Sequence, residues 1–122
     1  ELLAMLDFPF VYGDAKQALT RPFSIVLTRE KAEKYFKGEN PIGKQLIIND
    51  DLEHPYTIGG VVEDVVKKSH INFDFMLTLT GKEFWPGEQT DWCCSNYPTY
   101  IMLRKGVDKN DFETKLSAKV LE

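Results

Sequence analysis

At 122 residues, 43% hydrophobic and 28% charged, the chain has the composition of one ordinary globular domain, long enough to bury roughly two-thirds of its unfolded surface. A formal charge of −4 and a pI near 5.2 argue against a nucleic-acid binder, whose affinity needs clustered Lys and Arg. No run approaches the roughly 18 apolar residues of a membrane span. Glu1-Leu2-Leu3 has neither the basic nor the apolar region of a signal peptide. With no initiating Met, the chain reads as a piece of something longer.

Taken in order, residues 1–12 are apolar and aromatic, and Pro9 disfavours a regular central strand there. Asp14 to Leu19 suggests a helical turn or two, capped by Asp14 with Gln17 at the reciprocal position, and Arg21-Pro22 stops it. Phe23 to Leu27 reads as a buried strand. Thr28 is placed to cap a helix over Arg29–Lys37, with Ala32, Tyr35 and Phe36 on one face and Gly38 as the left-handed residue after its end. A strand over Lys44–Asn49 follows. Tyr56 to Val65 is a second, longer strand, and its Gly59-Gly60 pair signals a bulge or a close backbone approach. After the polar link 67–70, Phe73, Phe75, Leu77 and Leu79 alternate with Asp74, Met76, Thr78 and Thr80, predicting a strand with one buried face. Residues 81–98 form a long excursion, and Thr99–Arg104 resumes as a strand. A final helix is capped by Asp108 and stapled by Val107 and Phe112, with Phe112, Leu116 and Val120 as its stripe. Strands and helices without strict alternation give an α+β fold.

The stretch Gly38-Glu39-Asn40-Pro41-Ile42-Gly43-Lys44-Gln45 resembles a phosphate-binding P-loop at first sight. A P-loop is delivered by a strand and followed by a helix, so that helix amides face the phosphates. Here a helix precedes and a strand follows, and Gln45 stands where a Ser or Thr would hold magnesium. Nucleotide binding is therefore rejected, and the stretch is read as a joint between helix and strand.

Catalytic chemistry finds no footing in the sequence. Ser69 and His70 are adjacent, so in an extended link they point to opposite faces; His70 shares a face with Asp74 only if that link is extended. Asp50, Asp51, Glu53 and His54 lack the Gly and Glu of a calcium loop and read as a solvated hairpin tip. Glu63 and Asp64 are consecutive and cannot flank one glycosidic bond. Cys93 and Cys94 read as free thiols, or as a vicinal or intermolecular disulfide, without zinc-ligand spacing. Trp85, Trp92, Tyr97 and Tyr100 have two readings, packing of the excursion onto the sheet and a binding surface for a partner or substrate.

Residues from about 8 to 80 resemble the periplasmic core domain of MacB-like, FtsX-related ABC-transporter permeases of the Bacteroidetes type. The resemblance rests on Gly13-Asp14 with Ala18-Leu19, Pro22 to Thr28, Ala32 to Phe36, and the turn Asn40-Pro41-Ile42-Gly43-Lys44. It continues through Tyr56 to Asp64, Ser69-His70 and Phe73-Asp74-Phe75. Val66 and Lys68 depart from the proline and asparagine usual there. The resemblance implies a non-catalytic domain, without cofactor or metal, on the periplasmic face of the inner membrane. Its fold would combine a porter-like α+β part (residues 69–122 with 1–7) and a small inserted α/β part (about 8–68). The partners implied are the membrane-spanning part of the same permease, a second permease in a dimer, a cytoplasmic ABC ATPase and a periplasmic adaptor. The function implied is coupling of ATP hydrolysis to substrate export or mechanotransmission. The alternatives are a stand-alone periplasmic ligand- or peptide-binding domain and, from a different class, a hydrolase built on His70.

Overall fold

The computed structural model describes residues 2–64, 70–81, 83, 85–88, 90 and 98–120. Its described elements are α1 (Leu2–Met5), β1 (Phe10–Gly13), β2 (Ser24–Thr28), α2 (Arg29–Phe36), β3 (Gln45–Leu46), β4 (Tyr56–Val62), β5 (Phe75–Leu77) and α3 (Lys109–Val120). The five strands make one mixed sheet in the order β1-β4-β2-β5, and β3 also pairs with β4. The fold is α+β. β2 and β4 run parallel, joined through α2, and the other pairs are antiparallel. Pro9 lies just before β1, an end strand, where its missing N–H breaks no ladder.

β2 is buried at all five positions because the sheet is covered on both faces. Ile25 and Leu27 join one apolar cluster with Ala32 of α2, Tyr56, Ile58 and Val61. Val26, pointing the other way, joins Leu3 of α1, Ala18 and Val62. Burying such side chains contributes roughly 1.5–3 kcal/mol each before the entropy of ordering them is subtracted.

The glycine pair in β4 makes this two-sided arrangement possible. Along the partner strand, Ile25 opposes Ile58 but Val26 opposes Gly60, so Gly59 is the extra residue of a bulge. The extra residue shifts the alternation by one. Tyr56 and Ile58 face α2; beyond the bulge Val61 does so too, while Val62 turns to the opposite cluster. A close backbone approach accompanies the bulge: a Cβ on Gly59 would lie 2.0 Å from the carbonyl oxygen of Ala18, and one on Gly60 would lie 2.6 Å from the Phe10 ring. Both meanings that the sequence attaches to the pair hold.

Several local expectations need correction. Residues 15–19 form turns short of an α-helix; Asp14 Oδ1 accepts from the Lys16 amide at 2.6 Å, and the Asp14 carbonyl accepts from Gln17 and Ala18. Thr28 occupies the N-cap of α2 but makes no side-chain cap bond. Its side chain is buried against the sheet, and the Glu30 amide donates instead to Asp64 Oδ1 at 2.9 Å. The close of α2 keeps Gly38 in the expected positive-φ position, at 82°, and adds a second left-handed residue before it, the C-cap Lys37 with φ 45° and ψ 52°, its amide bonded to the Glu33 carbonyl. β3 is shorter than the predicted 44–49 strand because Ile47 is exposed and Asn49 and Asp50 turn the chain with φ near 55°. β5 covers only Phe75–Leu77 of the predicted strand, and its neighbour β2 is buried on both sides. Met76 therefore packs with the α1 cluster and Leu77 with the α2 cluster, so alternation does not sort inside from outside. Residues 99–104 form no strand, and Ile101 and Met102 are largely exposed. α3 forms where its signals place it, with Asp108 Oδ1 accepting from the Asn110 and Asp111 amides, yet no residue of it is buried. The residues flanking Cys93 and Cys94, and the cysteines themselves, lie outside the described residues.

Candidate functional site

The joint between α2 and β3 is built from the backbone outward. Asn40 Oδ1 accepts from the Ile42 amide at 3.0 Å, Pro41 is fully buried, and the Lys44 amide donates to the Pro41 carbonyl at 3.0 Å. Gly43, at φ 80°, turns its amide to the Ile58 carbonyl at 2.9 Å, and the Ile58 amide returns a bond to Lys44. The amides that a phosphate cradle would point outward are thus used by Asn40 and β4. Lys44, at the position of a P-loop lysine, pairs with Glu39 and lies 5.2 Å from the centre of the Phe36 ring. The Lys44 ammonium holds the Glu39 carboxyl below its ordinary value. Asn40, Pro41, Ile42, Gly43 and Lys44 act here as a structural turn, and the helix-before, strand-after order read from the sequence is the order found.

The titratable groups considered for catalysis are placed apart or engaged with one another. His54 lies 3.2 Å from both oxygens of Asp51 and stacks on Phe23 at 5.0 Å. His70 is exposed and lies 6.0 Å from the Tyr100 ring, while Asp74 pairs with Lys31 at 3.1 Å. That hydrogen bond raises the Lys31 ammonium above its ordinary value. Among the described residues, no group of His, Cys, Asp and Glu could hold a metal ion. Ser69 lies outside them.

A cluster that sequence reading missed sits where α2 begins. Three consecutive residues of its first turn reach acids at the same end of the sheet: Arg29 pairs with Glu63 and the Glu30 amide with Asp64, both just after β4, and Lys31 with Asp74, just before β5. The available signal was topological. Parallel β2 and β4 end in register at Thr28 and Val62, so residues 29–31 and 63–64 must emerge side by side.

Of the four aromatic residues proposed as a binding surface, Trp92 and Tyr97 lie outside the described residues. Trp85 is 42% exposed in a turn closed by the Glu88 amide on its carbonyl, and the Gly87 amide donates to Glu83 at 3.1 Å. Tyr100 is 38% exposed and lines a cavity of about 660 Å³ with Leu2, Ala4, Met5, Lys16 and Met102. A second cavity, about 500 Å³, lies between the 13–24 turn, the joint and the β4 bulge, with Asp14, Gln17, Arg21 and Thr57 on its walls. Among the described residues no helix is long and apolar enough to cross a membrane.

The family described as the MacB-like periplasmic core domain matches residues 1–119. A search of curated proteins finds no match. Among solved structures, the crystal structure of a domain described as that of a permease protein from Porphyromonas gingivalis superposes with a TM-score of 0.77 at 26% identity. The match covers 97% of this chain and 54% of that one, so the chain spans about half the length of the domain it resembles. On a match over almost its whole length, this chain belongs to the MacB-like periplasmic core domain family.

Proposed function

We propose that this domain is the non-catalytic, extracytoplasmic part of an ABC-transporter permease at the periplasmic face of the inner membrane. It couples ATP hydrolysis by a cytoplasmic ATPase to substrate export or to mechanical work on the periplasmic side. The observation that carries this reading is the family match over residues 1–119, supported by the likeness to a permease domain. Its partners are the membrane-spanning part of the same permease, the cytoplasmic ABC ATPase, a second permease and a periplasmic adaptor. The exposed Trp85 and Tyr100, with Trp92 and Tyr97, form the surface proposed for the adaptor or substrate.

The division of the chain proposed above is kept, with residues 8–68 as an inserted α/β part and 69–122 with 1–7 as the porter-like part. β5 and Leu3 are then the points where the two parts meet, because β5 extends the sheet beside β2 and Leu3 packs with Val26 and Val62. Of the contacts at the start of α2, Arg29–Glu63 and Glu30–Asp64 lie within the inserted part, whereas Lys31–Asp74 crosses the seam and is suited to transmitting a push from one part to the other.

Reconstitution of the full permease with its ATPase in vesicles tests this reading. Replacing the domain by a flexible linker is expected to leave ATP hydrolysis running and to abolish transport or periplasmic output. Unchanged output would overturn the reading. A full-length gene product without apolar segments flanking the domain would favour the stand-alone binding domain, which Trp85 fluorescence titrated with peptides and lipids would then reveal.

A further inference from the structure

The cavity of about 500 Å³ beside the β4 bulge has no part in the permease reading. Its volume falls within the roughly 300–1,000 Å³ typical of small-molecule sites. Ser24 of β2 and its register partner Thr57 of β4 line it from the sheet, and Asp14, Gln17 and Arg21 line it from the turn that runs over Ala18. Gly59 leaves its stretch of wall without a side chain, because the Ala18 backbone sits where a Cβ would be.

Two independent observations on these walls point to a ligand. Ser24 is only 5% exposed, yet its hydroxyl has no hydrogen-bond partner among the described residues. Buried hydroxyls are normally bonded, so this one is matched by something the cavity takes in. Asp14 and Arg21 are opposite in charge and line the same cavity, yet neither forms an ion pair with the other or with another described residue. The turn fixes Asp14 in place: its Oδ1 accepts from the Lys16 amide at 2.6 Å, and its carbonyl accepts from the Gln17 and Ala18 amides at 3.1 and 2.9 Å. Its Oδ2 and the Arg21 guanidinium are left for a guest. A simple anion such as phosphate would suit Arg21 but be repelled by Asp14.

We infer that this cavity binds a small zwitterion, a free amino acid or a short peptide. Arg21 takes the carboxylate through the paired N–H donors of its guanidinium, and Asp14 Oδ2 takes the ammonium. Ser24, Thr57 and the Gln17 carboxamide supply hydrogen bonds to the polar groups between the two ends. This site is distinct from the surface of Trp85 and Tyr100 proposed above, and it does not depend on what the whole permease transports.

Equilibrium dialysis of isotope-labelled alanine, dialanine and trialanine against the full-length protein in lipid nanodiscs tests this. Saturable one-to-one binding is expected for at least one of the three, and the tightest binder assigns the source as a free amino acid or a peptide. N-acetylation and C-amidation of that probe should each weaken binding about tenfold, the scale of one hydrogen bond to a charged group. In Asp14→Asn, which keeps an oxygen for the Lys16 amide, acetylation should no longer matter; in Arg21→Gln, amidation should no longer matter. Lys34→Gln, on α2 at the other face of the sheet, should leave every affinity unchanged. Absence of saturable binding by all three probes would overturn the inference. So would capped probes that bind as well as free ones, capping losses that persist in both cavity variants, or an equal loss in Lys34→Gln. None of these outcomes bears on the permease reading, which fails instead on unchanged periplasmic output without the domain.

Discussion

Leu27 and Leu116 are the same side chain in opposite circumstances. Leu27 sits in β2 and is completely buried; Leu116 sits in α3 and is 44% exposed. The two regions differ in the same way throughout. Residues 8–64 carry most of a sheet clothed on both faces, while the described residues 98–120 have a well-capped helix with no buried residue and an extended segment whose Ile101 and Met102 are largely exposed. Local signals suffice to write a helix, since Asp108 satisfies two amides of α3 by itself. Burial requires a partner from elsewhere in the chain. Where the described residues supply one, as α2 for β2, the element is integrated; α3 has no buried residue among them and rests on its local signals.

The largest test of that contrast is Gly59→Ala. A methyl there meets the Ala18 carbonyl oxygen at 2.0 Å, an immovable backbone atom. We expect a loss of about 3 kcal/mol or more in denaturant unfolding, a large share of a stability that is typically 5–15 kcal/mol. A loss below about 1 kcal/mol would mean that the bulge is not the clamp described. Next comes Leu27→Ala, which should cost about 2–5 kcal/mol by emptying a packed site. A cost no greater than that of Leu116→Ala in the same domain would erase the distinction between the regions.

Smaller effects separate two kinds of cap. Asp64→Ala removes the acceptor for the Glu30 amide and should cost about 1 kcal/mol of global stability, because α2 is part of the core. Asp108→Ala removes the equivalent acceptor of α3. It should speed amide exchange within 109–120 without moving the unfolding midpoint of the sheet. Global destabilisation by both would show that α3 is coupled to the core.

The smallest effects are those of solvent-exposed ion pairs, which pH resolves by sign. Glu39 is held low by Lys44, so its contribution is present above the unfolded pKa and is lost as pH falls through the depressed folded value. Lys31 is held high by Asp74, so its contribution is present below the unfolded pKa and is lost as pH rises through the raised folded value. Glu39→Gln should flatten the acid limb of the stability curve slightly, and Lys31→Met the alkaline limb. Added salt should shrink both differences, as expected for exposed pairs. A salt-independent difference would point to a buried interaction instead.

What the residues determine locally they determine well. The β-branched run of β2, the Asp108 cap, the Asn40–Lys44 joint and the glycine bulge each follow from short-range chemistry, and each is found where that chemistry puts it. The rejection of a P-loop followed from element order and from Gln45 standing where a Ser or Thr would hold magnesium. Tertiary structure decided what depends on neighbours distant in sequence. Asp64, thirty-four residues from Glu30, replaced Thr28 as the cap because parallel β2 and β4 end side by side. Met76 and Leu77 both became inward residues because β5 joined a sheet covered on two faces. Residues 99–104 did not become a strand, because a strand is defined by a hydrogen-bonding partner and alternation can only prepare for one.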